Sequence, residues 1–197
     1  MEHKAFLFKD QEFNSELKSI ILEAGISNNP EPIRMFIEKN IEKICSPYTG
    51  ESIDADWEDE LENGGIQELI DFALTCFYSP EDDCGLSYSW DLLLEKLKHV
   101  SVRFEAEYYV LGIQIAQDGF TLDPGGMGMG FIKAEDIPEM YKDLMECRGA
   151  FINAELPPDN DLLYRDITLT ELIEAYDELL ALYKDASEKS CGLLMTF

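Results

Sequence analysis

The stretch TLTELIEAYDELLALYKDASEKSCGLLMTF, residues 168–197, decides how the chain folds. Leu172, Ile173, Tyr176, Leu179, Leu180 and Tyr183 recur at helical spacing, the pattern of a helix with one apolar face. Thr168-Leu169-Thr170-Glu171 has capping-box spacing and marks where that helix starts. The helical period then ends, and Gly192 to Phe197 reads as a closing strand. A long amphipathic helix feeding an apolar strand predicts helices packed on a sheet.

Working outward, Lys4 to Phe8 reads as a first strand. Helical patterns follow over Gln11–Ala24, from Pro30 through Ile44, over Ile66–Phe77, and from a Ser89 cap through Lys98. At His99 the period changes. Val100, Val102, Phe104 and Ala106 alternate with Ser101, Arg103 and Glu105, which predicts a half-buried strand. Tyr109, Leu111, Ile113 and Ile115 continue it, as one bent strand or as a hairpin. Asp123-Pro124-Gly125-Gly126 is a turn, and Met129–Lys133 another strand. Asp136 caps a helix through Met145, and Pro157-Pro158-Asp159-Asn160-Asp161 is a loop. The expected fold is α+β (or mixed α/β), with about five to six helices on a small, largely antiparallel or mixed sheet. It forms a single domain over 1–197: helical 10–98, strand-rich 99–133, and a helix-strand closing unit 134–197.

Charge sets the functional classes. The chain has 41 acidic against 15 basic side chains, a net −26, with 46% hydrophobic residues among its 197. That hydrophobicity excludes a disordered acidic chain. The charge opposes direct contact with nucleic-acid phosphates or an anionic membrane face. No apolar run reaches the length of a membrane span, and the N-terminus lacks a signal-peptide core, so a cytoplasmic location is expected. Cys45, Cys76, Cys84, Cys147 and Cys191 are widely spaced without a CxxC, and only His3 and His99 accompany them. Free thiols are expected, with no metal site and no cofactor.

The charge is not spread evenly. Residues 44–95 hold 14 acids and no lysine or arginine. Asp54-Ala55-Asp56-Trp57-Glu58-Asp59-Glu60-Leu61-Glu62 is the densest run, and Glu81-Asp82-Asp83 a smaller cluster. A solvated acidic surface accounts for such a run in general. A calcium loop does not fit: Asp59 stands where the turn glycine belongs, and Gly65 where the bidentate Glu belongs. A docking surface for a basic protein fits well. Asp54, Asp56, Glu58, Asp59, Glu60 and Glu62 would steer the partner, and Trp57 would supply an aromatic anchor.

No nucleophile–base signature is present, so no catalytic residue is assigned. The glycine run Gly125-Gly126-Met127-Gly128-Met129-Gly130 matches no phosphate-binding motif and contains no cation. It reads as a loop entering a strand. Its functional reading is a recognition loop, with Gly126, Met127, Gly128 and Met129 as a ligand site.

Phe131-Ile132-Lys133-Ala134-Glu135-Asp136-Ile137-Pro138-Glu139-Met140-Tyr141, followed by the 172–195 helix and strand, resembles the end of the YfbM-like group of small bacterial proteins. That group's Trp-His helix has no counterpart, since Trp90-Asp91-Leu92-Leu93 lacks the histidine. In composition the chain is similar to acidic bacterial immunity proteins, which neutralise cationic toxin domains. That resemblance implies a toxin as the basic partner. The leading expectation is therefore a non-enzymatic acidic binding protein that docks and neutralises a basic protein. The alternative is an enzyme or small-ligand protein with its site at Gly125–Gly130.

Overall fold

The computed structural model describes residues 1–155 and 167–197, and the loop expected at 157–161 lies outside them. The sheet has three antiparallel strands in the order β1 (Lys4–Phe8), β5 (Gly192–Thr196), β4 (Met129–Ile132). The closing strand occupies its centre. Ala5 lies opposite Met195 and Gly130 opposite Met195, so the two outer strands flank β5 in register.

Side chains alternate across this sheet. Phe6, Phe8, Leu194, Met129 and Phe131 face one apolar cluster; Ala5, Leu193, Met195 and Ile132 face the other. Both faces of β5 are therefore buried, which explains why it reads Gly-Leu-Leu-Met rather than alternating with polar residues. On the first face pack α1 (Asp10–Glu16), α2 (Lys18–Ser27), α3 (Glu31–Lys39) and α4 (Ile66–Leu74). On the second pack α5 (Trp90–Lys98), α6 (Ala106–Leu111), α7 (Ile137–Asn153) and α8 (Leu169–Lys189). The expected α+β class is what the chain adopts, with eight α-helices among the described residues.

Local chemistry fixes several boundaries. Thr168 accepts from the Glu171 amide while the Glu171 carboxylate accepts from the Thr168 amide, completing the capping box of α8. Ser89 and Asp136 stand at the N-cap positions of α5 and α7, but neither side chain makes a capping bond. Asp136 instead accepts from the Tyr108 hydroxyl at 2.7 Å. The single helix expected over Gln11–Ala24 is two, α1 and α2, broken at Leu17, and the second runs past Gly25 to Ser27; Gly25 lets the Phe120 ring pack flush, where a Cβ would meet the ring at 2.4 Å.

The strand expected from Val100 is not formed, and the segment 99–133 is less strand-rich than its alternation suggests. Residues 106–111 form α6, with Ala106, Tyr109 and Val110 buried at helical spacing. Ahead of it the chain is irregular because polar bonds to α7 decide its path. The Arg103 amide donates to Asp143 at 2.8 Å, and its guanidinium pairs with Glu139 and Glu146. The alternation thus records contacts of a loop with α7. Gly112, at φ +68°, then turns the chain toward β4, where Ile113 bridges to Phe131. A hairpin follows: β2 (Ala116–Gln117) and β3 (Phe120–Thr121) join through Asp118 and Gly119, both at positive φ.

Candidate functional site

The acidic segment is held by its apolar residues. Ile53 and Trp57 are buried and Leu61 half-buried, so this four-residue spacing ties the segment to the core beside α4. Trp57 starts a short 3-10 turn (Trp57–Glu60) and packs 6.0 Å from the Phe72 ring. With the apolar residues turned inward, Asp54, Asp56, Glu58, Asp59, Glu60 and Glu62 are all exposed. Asp54 accepts from the Asp56 amide at 2.8 Å, which shapes the turn. Trp57 itself is 3% exposed and cannot serve as the anchor expected of it.

An exposed aromatic does stand nearby. Tyr48, in the Pro47–Thr49 turn, is 58% exposed, with its ring 5.9 Å from Phe72. Its phenol is pushed up to about 12 by burial of its hydroxyl end and by the Glu68, Asp71 and Glu62 carboxylates. Burial pushes Glu68 up too. However, the amides of Asn63, Glu62 and Gly64 donate to it, and together with Tyr48 they hold it below the usual carboxylate value. Asp71 is pushed up to about 6, by burial and by the charge of Glu68. Gly50 brings Glu81 onto the same loop, where a Cβ would stand 2.6 Å from the Glu81 Cγ. The smaller acidic cluster therefore joins this side through Glu81. Asp83, itself exposed, is committed to the backbone, its Oδ1 accepting from the Ala5 and Gly85 amides.

Against this array the chain places little positive charge. Arg34 on α3 pairs with Glu58, and among the described residues no other cation pairs with the 54–62 carboxylates. The arrangement can attract and hold cationic groups.

The glycine run separates into two roles. Gly130 is structural: a Cβ there would lie 1.9 Å from the Leu111 carbonyl oxygen, so only glycine allows β4 this close to the end of α6. Met129 is 5% exposed and belongs to the core. Gly126 and Gly128 have positive φ, and Met127 is 49% exposed. Met127, Gly128 and Met129 line an apolar cleft of about 570 Å³ with Met1, Trp90 and Phe197. The Trp90 and Phe197 rings meet edge to face at 5.0 Å.

The histidines are placed apart from this chemistry. His3 is fully buried; its Nε2 donates to the Val110 carbonyl at 2.8 Å and its Nδ1 accepts from the Leu86 amide at 3.0 Å. Both ring nitrogens are thus committed to the fold. His99 ends α5 at the surface. All five cysteines are free, with only Cys147 buried and only Cys84 exposed. Among the described residues no three His, Cys, Asp or Glu side chains gather as a metal site, and no helix is long and apolar enough to cross a membrane.

The chain matches no protein-family model, no curated protein and no solved structure.

Proposed function

We propose that this is a non-enzymatic binding protein that docks and neutralises a basic protein partner, in the manner of an immunity protein against a cationic toxin, in the cytoplasm. One observation carries the reading. Six carboxylates between Asp54 and Glu62 are exposed, while the residues between them anchor the segment to the core. Such a surface accelerates encounter with a cationic protein and repels nucleic acid. Tyr48 takes the anchoring role that Trp57 cannot. The resemblance to the YfbM-like group is kept as a proposed kinship, supported by the succession of β4, α7, α8 and β5 in the described chain.

The test is affinity capture from the native host with the wild-type protein and with Asp54, Asp56, Glu58, Asp59 and Glu60 changed to Asn or Gln. The account predicts that the variant folds normally and loses the basic protein. A second reading, ligand binding at Gly126–Met129, is favoured by the apolar cleft there. A metabolite that raises the melting temperature of the wild-type protein but not of Met127→Asp would support it instead.

A further inference from the structure

A second cleft, of about 320 Å³, opens between α1, α2 and the segment leading into β2, and meets the Met127 cleft at Ile113 and Gln114. It shares no residue with the acidic face. Phe8, Phe13 and Phe131 line it, and the Phe13 and Phe131 rings lie parallel, 6° apart in plane with centroids at 5.5 Å. Its charged lining residues are Asp10, Lys18 and Lys133, two cations to one carboxylate in a chain where acids otherwise dominate.

Asp10 is the distinctive group. Its Oδ2 accepts from the Ala134 amide at 3.1 Å. Its Oδ1 is buried and has no hydrogen-bond partner among the described residues. Gly192 makes room for it, since a Cβ there would stand 3.1 Å from the Asp10 Cβ. A buried acceptor without a donor is costly, and because Oδ1 is closed to solvent as it stands, a ligand donor reaches this carboxylate only as the Asp10 side chain turns toward the cleft. Lys18 makes no ion pair among the described residues, and Lys133 pairs with Glu135 at 3.2 Å.

We propose that this cleft binds an amphoteric aromatic small molecule. The ring lies against Phe131, with the buried Phe13 and Phe8 behind it, an ammonium donates to Asp10, and a carboxylate meets Lys18 and Lys133. The volume is at the small end of ligand pockets, which suits a one- or two-ring molecule and excludes a dinucleotide. Aromatic floors with few placed polar groups give such sites their selectivity.

The experiment titrates the full chain with three probes and follows amide resonances: L-tryptophan, tryptamine without the carboxylate, and indole-3-propionate without the ammonium. L-tryptophan is expected to give saturable shifts at Phe13, Ile115 and Phe131, and each one-handed probe to bind about tenfold more weakly or worse. Asp10→Asn should weaken L-tryptophan while leaving indole-3-propionate unchanged, and Lys18→Gln should weaken L-tryptophan while leaving tryptamine unchanged. Ala116→Trp, which fills the cleft from its exposed strand, should abolish all binding while the circular dichroism spectrum stays native. Absence of saturable shifts at those residues with all three probes would overturn the proposal. So would undiminished binding of L-tryptophan by both Asp10→Asn and Lys18→Gln. The acidic face is untouched in these variants, so failure here leaves the docking reading standing.

Discussion

Arg34 on α3 is ion-paired with Glu58 of the acidic segment, the one such partner those carboxylates have among the described residues. The pair joins the relatively balanced N-terminal helices to a segment that repels itself. Both side chains retain solvent contact, so the pair contributes about 0–1 kcal/mol. Arg34→Gln should therefore move the melting temperature by no more than about 3 °C. It should also speed capture of a basic partner, because Glu58 is released. A larger drop on melting would mean that the acidic segment depends on this cation for its position.

Trp57 sets the segment's position far more firmly. Its ring is buried against Phe72, so Trp57→Ala should cost about 3–5 kcal/mol in denaturant unfolding. Replacement of Asp54 or Asp59 by Asn should leave the same transition almost unmoved, since both are exposed and face like charges. A Trp57→Ala variant of wild-type stability would contradict the inward placement of the ring.

Two groups give stability opposite dependences on pH. Burial holds His3 below its usual 6.5, against the pull of its bond to Val110. The unfolded chain takes up a proton as pH falls below about 6.5 while the native chain resists it, so His3 makes stability fall with acidification. Asp71 behaves in reverse. Its folded value near 6 exceeds the ordinary 3.8, so the stability it confers is full below 3.8 and is lost as pH rises through 6. Asp71→Asn should thus stabilise the protein at pH 7, and that gain should vanish by about pH 4. Urea midpoints of both proteins across this range check it; a gain that grew toward acid would refute the assignment.

On the other face of the sheet, Asp143 ties three elements together. It is 3% exposed, accepts from the Tyr109 hydroxyl and the Arg103 amide, and lies 3.5 Å from the Arg103 guanidinium. Asp143→Ala would strand the Tyr109 hydroxyl and the Arg103 amide and should cost about 2–5 kcal/mol, about 1–3 kcal/mol for each stranded donor. Tyr109→Phe removes one donor and should cost about 1 kcal/mol. The comparison is made by chemical denaturation, and equal effects of the two would contradict the network.

What could be read ahead of the structure follows from the strength of local signals. The α5 and α8 helices are legible from their helical period and, in α8, from the Thr168–Glu171 box, while β1, β4 and β5 are legible as short apolar runs. The α6 helix was hidden: it has only six residues, and the alternation before it reflects Arg103 and its carboxylate partners. The central position of β5 was not readable, since strand order depends on long-range pairing. At the candidate site the carboxylates were legible from their density alone. The orientation of Trp57 was not, because a 3-10 turn has its own spacing and can bury an aromatic amid charges. Tyr48, between Pro47 and Thr49, belongs to no helical or strand period that would mark it as a surface anchor. The Asp10 cleft left no signal, since its lining residues come from four separated stretches of chain.

The central claim is that the Asp54–Glu62 carboxylates hold a basic protein. The most direct measurement is titration of the protein captured from the native host, purified, with the wild-type chain and with the five-fold Asn/Gln variant at several salt concentrations. The account predicts affinity that falls steeply with salt for the wild type, and at least about tenfold weaker binding with a flatter salt dependence for the variant. Equal affinity and equal salt dependence for the two would contradict it.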